Sequence, residues 1–300
     1  MTPTGWGRSR VRVPVEAPGR RWLTGGVART DPDREAGLQV PSGAETAASP
    51  APPDRRVLRT EVLLLLGVSV GASAVYAALN LLRRLLAPVP LSQSRATLNG
   101  SYVPDHPWLD LAFQVVGIVV GVVPALLALY LLSRDGITAR AIGVDTRRLG
   151  ADSARGLLLA AVVGVPGLLL YLAAYRLGVS ATVVPSALPD VWWRVPVLIA
   201  SAAMNATLEE VVVVGYLITR LRQLGWSARW AVGAAALLRG AYHLYQGVGA
   251  FVGNAVMGLL FGWYFLRTRR VMPLIIAHTL LDTTAFLGYT ALSGHVSWLP

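Results

Sequence analysis

The 300-residue chain is 54% hydrophobic and only 14% charged, with a mean hydropathy of +0.53, whereas soluble domains carry about 25% charged residues. This composition argues against a soluble globular protein and for a multispan membrane protein. The net charge of +11 rests wholly on arginine, as expected of a high-GC bacterial genome. Its placement between apolar runs points to membrane topology and not to a nucleic-acid partner; the absence of Cys excludes a disulfide framework and a thiolate metal site.

Residues 1–57 are rich in Arg, Pro, Gly, Ala and Thr without apolar periodicity, and read as a disordered cytoplasmic tail. They lack the short apolar core and small-residue cleavage site of a signal peptide. Residues 58–300 read as an all-α transmembrane bundle. Seven apolar runs are expected as spans, at 61–82, 108–133, 155–177, 195–219, 229–247, 249–266 and 272–292; about 20 helical residues cross the ~30 Å of hydrocarbon. Lipid offers no partner to an unpaired backbone group, so these runs must be helical.

Arginine placement sets the expected orientation. Ten Arg precede the first span, five lie in "SRDGITARAIGVDTRRLGADSAR", three in "RLRQLGWSAR" and three in "RTRR". The alternate connections are almost free of them. The N-terminus is therefore expected in the cytoplasm and the C-terminus outside, in a multi-pass cell-membrane protein. "GIVVG" (Gly117, Gly121) and "GLLFG" (Gly258, Gly262) have the spacing that lets helix backbones approach. In "VPSALPDVWWRV", residues 184–195, the pair Trp192–Trp193 suits the membrane surface, as an anchor or part of a gate.

The chemistry is suggested by polar residues at membrane depth. "NATLEEVVVVGYL" places Glu209 and Glu210 inside an apolar run. Two carboxylates there cost about 5–7 kcal/mol on insertion scales, so a functional site facing the bundle interior is the default reading. Adjacent residues point ~100° apart on an α-helix, so the two acids are expected to do different jobs. "RGAYHLYQG" sets Arg239 and His243 four apart on one face, and "AHTLLD" does the same for His278 and Asp282. His106 and His295 read as solvated, Asn80 and Gln114 as packing contacts, and Asn254 as either. Asn205, one turn before Glu209, reads as a residue that could orient it.

This order of motifs, Glu209-Glu210 with Gly215, then His243, then His278 with Asp282, resembles the CPBP family of intramembrane proteases, also called CAAX proteases or the Abi family, over about residues 195–290. The family pattern is E-E-x-x-x-R-G, then F-x-x-x-H, then H-x-x-x-N/D. Two positions depart from it: Val214 stands where the family has Arg, and Arg239 where it has Phe. Arg239 is expected to supply the missing ion pair, to Glu210.

The resemblance implies an endopeptidase acting on a membrane-embedded or membrane-adjacent peptide. In that reading Glu209 is the general base, with His243 holding the water or relaying its proton. His278 and Asp282 support the oxyanion, and Glu210 is a second acid or the partner of Arg239. No cofactor is firmly implied. If Zn²⁺ were present, Glu209, His243 and His278 would be its ligands, but the spacing is not that of H-E-x-x-H and favours a glutamate-activated water. The competing readings are a non-catalytic scaffold or bacteriocin-immunity-type protein and a proton-coupled transporter. The latter would be expected to show repeat symmetry, which is not visible.

Overall fold

The computed structural model describes residues 54–296, so the expected tail lies outside the described residues up to residue 53. The Asp54 carboxylate accepts from the Arg56 N–H at 2.8 Å and caps α1 (Arg55–Gly67). α2 (Val70–Leu85) follows after a 50° bend. The break is built locally: Ser69 Oγ bonds back to Leu65 O at 2.5 Å, and a Cβ at Gly71 would lie 2.6 Å from Leu66 O. The rest of the helical frame is α3 (Pro107–Arg134), α4 (Leu149–Arg176), α5 (Arg194–Glu209), α6 (Ile218–Gln223), α7 (Ala228–Tyr242), α8 (Val248–Thr268) and α9 (Met272–Leu292). Between α5 and α6, residues Glu210–Leu217 form a π-helical segment, making one rod from Arg194 to Gln223.

The protein is an all-α bundle with one small departure. The strands β1 (Arg95–Gly100) and β2 (Thr182–Ala187) pair in parallel, with Arg95 opposite Thr182 and Gly100 opposite Ala187. They give the two interhelical connections backbone partners. Asn99 Nδ2 adds a bond to the carbonyl of Pro185 at 2.8 Å.

A helix occupies each expected span, but the count of seven is not reached. Among the described residues four helices are long and apolar enough to cross a membrane: α3, α4, the Arg194–Gln223 rod and α8. The bent α1–α2 pair makes five if counted as one span. α7 has 15 residues, which at 1.5 Å per residue gives about 22 Å, short of the hydrocarbon thickness. α9 is long enough, but His278, Asp282 and its threonines dilute its apolar character.

Burial ranks these helices. Only 6% of the apolar window of α4 is buried against 56% of that of the central rod, so α4 presents its leucines and valines outward, as lipid contact demands. α7 and α8 pack tightly because two glycines allow it. A Cβ at Gly258 would lie 2.8 Å from Ala236 Cα, and one at Gly262 the same distance from a Val232 methyl. The "GIVVG" pair divides: Gly121 presses on Met204 of α5, whereas Gly117 faces open space. The tryptophan pair divides too. Trp192 is 72% exposed, but Trp193 is 2% exposed in a core with Leu198 and Phe286.

Candidate active site

The central rod supplies two acids. Glu209 ends α5 and Glu210 opens the π-helical turn, where every residue from Glu210 to Leu217 is buried. Val214, at the position of the family arginine, is 1% exposed in the apolar core. Gly215 lets this segment lie against Ile142 and Val271, which a Cβ would approach to 3.1 and 3.3 Å. π-helical turns within α-helices are uncommon and occur frequently at functional sites.

α7 supplies Arg239, wholly buried, and Tyr242, 6% exposed. Arg239 Nη2 lies 2.7 Å from Glu210 Oε1 and 3.3 Å from Glu209 Oε2. The two glutamates therefore do not aim at separate places, as a uniform 100° step suggested. The wider π turn begins between them, and their long side chains converge on one guanidinium nitrogen. Phe261 of α8 backs the guanidinium, with Cζ 5.4 Å from the ring centroid.

α9 closes the cluster. His278, 4% exposed, directs Nδ1 at Glu210 Oε1 over 2.8 Å, while Nε2 lies 3.6 Å from Asp282 Oδ1. Arg239 Nη2 and His278 Nδ1, 3.0 Å apart, thus converge as two donors on one carboxylate oxygen. The ring proton on Nδ1 follows from that carboxylate, which can only accept.

His243 lies just past the end of α7 and not within a longer helix. Its Nδ1 donates to the Arg239 carbonyl at 2.9 Å, which leaves Nε2 without a hydrogen-bond partner among the described residues. The turn that follows is clamped by Gly247 (φ 113°), where a Cβ would lie 2.7 Å from Val179 O and Ser180 Cα.

Tyr242, which sequence reasoning passed over, donates its O–H to Glu209 Oε2 at 2.7 Å. Its only sequence signal is its place beside His243. Glu209 is left with one oxygen bound and a side chain 14% exposed, while Glu210 is sealed at 0%. Three polar atoms of the cluster, Glu210 Oε2, Arg239 Nε and Arg239 Nη1, are buried without a hydrogen-bond partner among the described residues. No hydrogen bond joins Asn205 to Glu209, and Asn254 bonds the Ala250 carbonyl of its own helix.

A zinc site does not fit this arrangement. Among the described residues no three His, Asp or Glu side chains converge as metal ligands. Arg239 stands within 3.3 Å of Glu209, Glu210 and His278, and its fixed positive charge would oppose a second cation there.

Two further buried charge clusters escaped the sequence reading. Arg220 is wholly buried on the rod and bonds Asp135, Glu61 (3.1 Å), Gln223 (2.9 Å) and the Leu131 carbonyl (2.7 Å), tying together α1, the end of α3 and α6. Arg270, between α8 and α9, pairs with Asp145 at 3.2 Å and Asp152 at 2.5 Å. Ordinary basic loop motifs conceal both, because their acids lie far away in sequence.

Residues 191–284 match the family model described as "Rce1-like: Type II CAAX prenyl endopeptidase Rce1-like". No curated protein and no solved structure matches the chain. The matched segment is less than half the chain, yet contains every motif residue from Glu209 to Asp282. It begins just after β2 and includes the central rod, α7, α8 and the site-bearing part of α9, the elements that build the cluster. Over residues 191–284 the protein is therefore similar to the CAAX-protease type of peptidase, consistent with the CPBP resemblance of its motifs and with its apolar, membrane-type helices.

Proposed function

We propose that the protein is an intramembrane endopeptidase in which Glu209 activates water to hydrolyse a peptide bond of a membrane-embedded or membrane-adjacent substrate. The observation that carries this reading is the unequal state of the two glutamates. Glu210 is sealed and bound by Arg239 and His278. Glu209 has one oxygen fixed by Tyr242 and Arg239 and the other uncommitted, on a side chain with some exposure.

Glu209 Oε1 takes a proton from a water that His243 Nε2 orients, and the hydroxide attacks the scissile carbonyl carbon. His278 has a carboxylate beside each ring nitrogen and is placed to carry a proton on both. At 3.6 Å from Asp282, Nε2–H is beyond hydrogen-bond range and can donate to the oxyanion. Glu210, bonded to both, holds Arg239 and the His278 ring in place, with Asp282 beside Nε2. The proton on Glu209 then passes to the leaving amine as the C–N bond breaks. The Arg239–Glu210 pair takes the part of the family arginine whose position Val214 occupies. No step is routed through a metal.

Residues 58–300 form the membrane domain in this reading, spanning it several times, with residues 1–57 as a cytoplasmic tail. The Arg220 and Arg270 clusters support the proposed orientation. They join the end of α3, the end of α6, the end of α8 and the start of α4, helix ends that the arginine count assigns to the cytoplasm.

The test is a proteomic comparison of membrane peptides in cells carrying wild-type protein, E209Q or E209A at equal abundance. Peptides that remain uncleaved in both variants are expected. An identical peptide profile in all three would leave the protease reading without support.

A further inference from the structure

The stretch 211–281 contains seven arginines and no Asp or Glu. Three of the seven are matched by acids from other parts of the chain: Arg220 by Glu61 and Asp135, Arg239 by Glu209 and Glu210, and Arg270 by Asp145 and Asp152. The other four, Arg222, Arg229, Arg267 and Arg269, are exposed and pair with no carboxylate among the described residues. They rest on rings or a carbonyl instead. Arg229 Cζ lies 6.0 Å from the Trp230 ring centroid, Arg267 Cζ 5.7 Å from that of Trp263 and Arg269 Cζ 5.8 Å from that of Phe265. Arg222 Nη1 donates to the Trp226 carbonyl at 2.6 Å. A ring face or a carbonyl attracts a guanidinium but does not neutralise it, so four positive charges remain.

Packing gathers them at one end of the bundle. α7 and α8 run antiparallel, with Gly258 against Ala236 and Gly262 against Val232, so the start of α7 lies beside the end of α8. Residues 224–227 alone join α6 to α7. Trp226, Trp230 and Trp263 stand at the same end, 45%, 63% and 54% exposed. Arg269 is kept outside by a turn that a side chain rarely adopts: at φ 54° it is, among the described residues, the one non-glycine with positive φ. The turn parts two neighbours, sending Arg270 inward to Asp145 and Asp152 and leaving Arg269 at the surface.

We infer that this end of α7 and α8 binds the headgroups of anionic glycerophospholipids in the leaflet that it meets. Exposed tryptophans suit the headgroup level of a membrane. Unmatched guanidiniums suit a phosphate diester, and a zwitterionic headgroup, which carries its own cation, leaves their charge uncompensated. The contact also bears on the candidate active site, whatever chemistry that site performs. α7 is too short to cross the hydrocarbon, and Arg239 and Tyr242 lie about 15 and 20 Å along it from Arg229. Headgroups held at Arg229 therefore fix the depth at which those two residues stand.

The full-length protein is placed in nanodiscs of phosphatidylcholine, or of an equimolar mixture of phosphatidylcholine and phosphatidylglycerol. Native mass spectrometry counts the lipids it retains from the mixture, and thermal melts are recorded in both. Phosphatidylglycerol should be retained about fivefold or more over phosphatidylcholine, the effect of one arginine at an anionic surface. The melting temperature should be higher in the mixture, and this rise should fade at about 1 M salt, where screening is nearly complete. R222Q/R229Q/R267Q/R269Q should lose the preference and the rise, while melting like wild type in phosphatidylcholine alone, which reports an intact fold. If that variant is unstable, the half-variants R222Q/R229Q and R267Q/R269Q should each lose part of the preference. R83Q/R95Q, which removes exposed arginines from α2 and β1, should keep both effects. Equal retention of the two lipids, or a preference that survives the fourfold and half-variants, overturns the inference. So does an equal rise produced in phosphatidylcholine discs by soluble glycerol 3-phosphate, which would assign the patch to a free phosphate.

Discussion

Arg239 Nη2 lies 2.7 Å from Glu210 Oε1, and both side chains are wholly buried. Neither charge is tolerable there without the other. Removing one partner of such a pair costs about 3–5 kcal/mol, because an uncompensated charge remains in a dry interior. R239A and E210A should each lower the melting temperature in detergent sharply. The double variant R239A/E210A should cost clearly less than the sum, a coupling that a double-mutant cycle measures.

Moving the arginine back to its family position is a sharper test of the same relationship. V214R alone places a second cation in the apolar core and should reduce abundance. V214R/R239F, which restores E-E-x-x-x-R and F-x-x-x-H together, should recover much of the lost stability. A double variant no better than V214R would show that the π-helical turn cannot present an arginine to Glu210.

Y242F deletes the hydroxyl that holds Glu209 Oε2 at 2.7 Å. A hydrogen bond to a charged group is worth about 1.5–3 kcal/mol, so kcat should fall about tenfold or more, with little change in KM or melting temperature. In an E209Q background the same substitution should have no further effect on turnover. A change confined to KM would assign Tyr242 to substrate contact.

The glycines offer an internal control. G258A drives a methyl to 2.8 Å from Ala236 Cα and 3.3 Å from Arg239 Cδ, so it should cost about 1–3 kcal/mol as overpacking and lower activity as Arg239 shifts. G117A, which meets nothing within 4 Å, should be neutral. Thermal melts of the purified variants decide both.

Acid sensitivity should have a local source outside the membrane core. The Arg270 guanidinium, with help from the Arg147 N–H, holds the Asp145 carboxyl below the usual carboxylate range. A depressed folded-state value gives stability that is present above the unfolded pKa and lost as pH falls through the folded one. Melting temperature should therefore drop as the pH is lowered below about 4, and D145N should flatten that part of the curve. An unchanged acid limb in D145N would remove Asp145 as its source.

Much of this protein was legible along the chain because lipid is a demanding solvent. Apolar runs such as 108–133 and 249–266 had to be helices, since no other backbone arrangement satisfies its own hydrogen bonds there, and acids such as Glu209 and Glu210 stood out by their cost. The matched segment 191–284 likewise follows motifs whose order is written in the sequence. What the chain alone left open were the relations between helices. The convergence of both glutamates on Arg239 depends on a π turn that no local propensity announces. The link from Tyr242 to Glu209 joins two helices 33 residues apart in sequence. The burial of Trp193 beside an exposed Trp192 and the pairing of Arg220 with Glu61 across 159 residues were equally hidden. One-dimensional patterns record what each segment must hide from lipid or water, while the partner it hides against is fixed only when the helices pack.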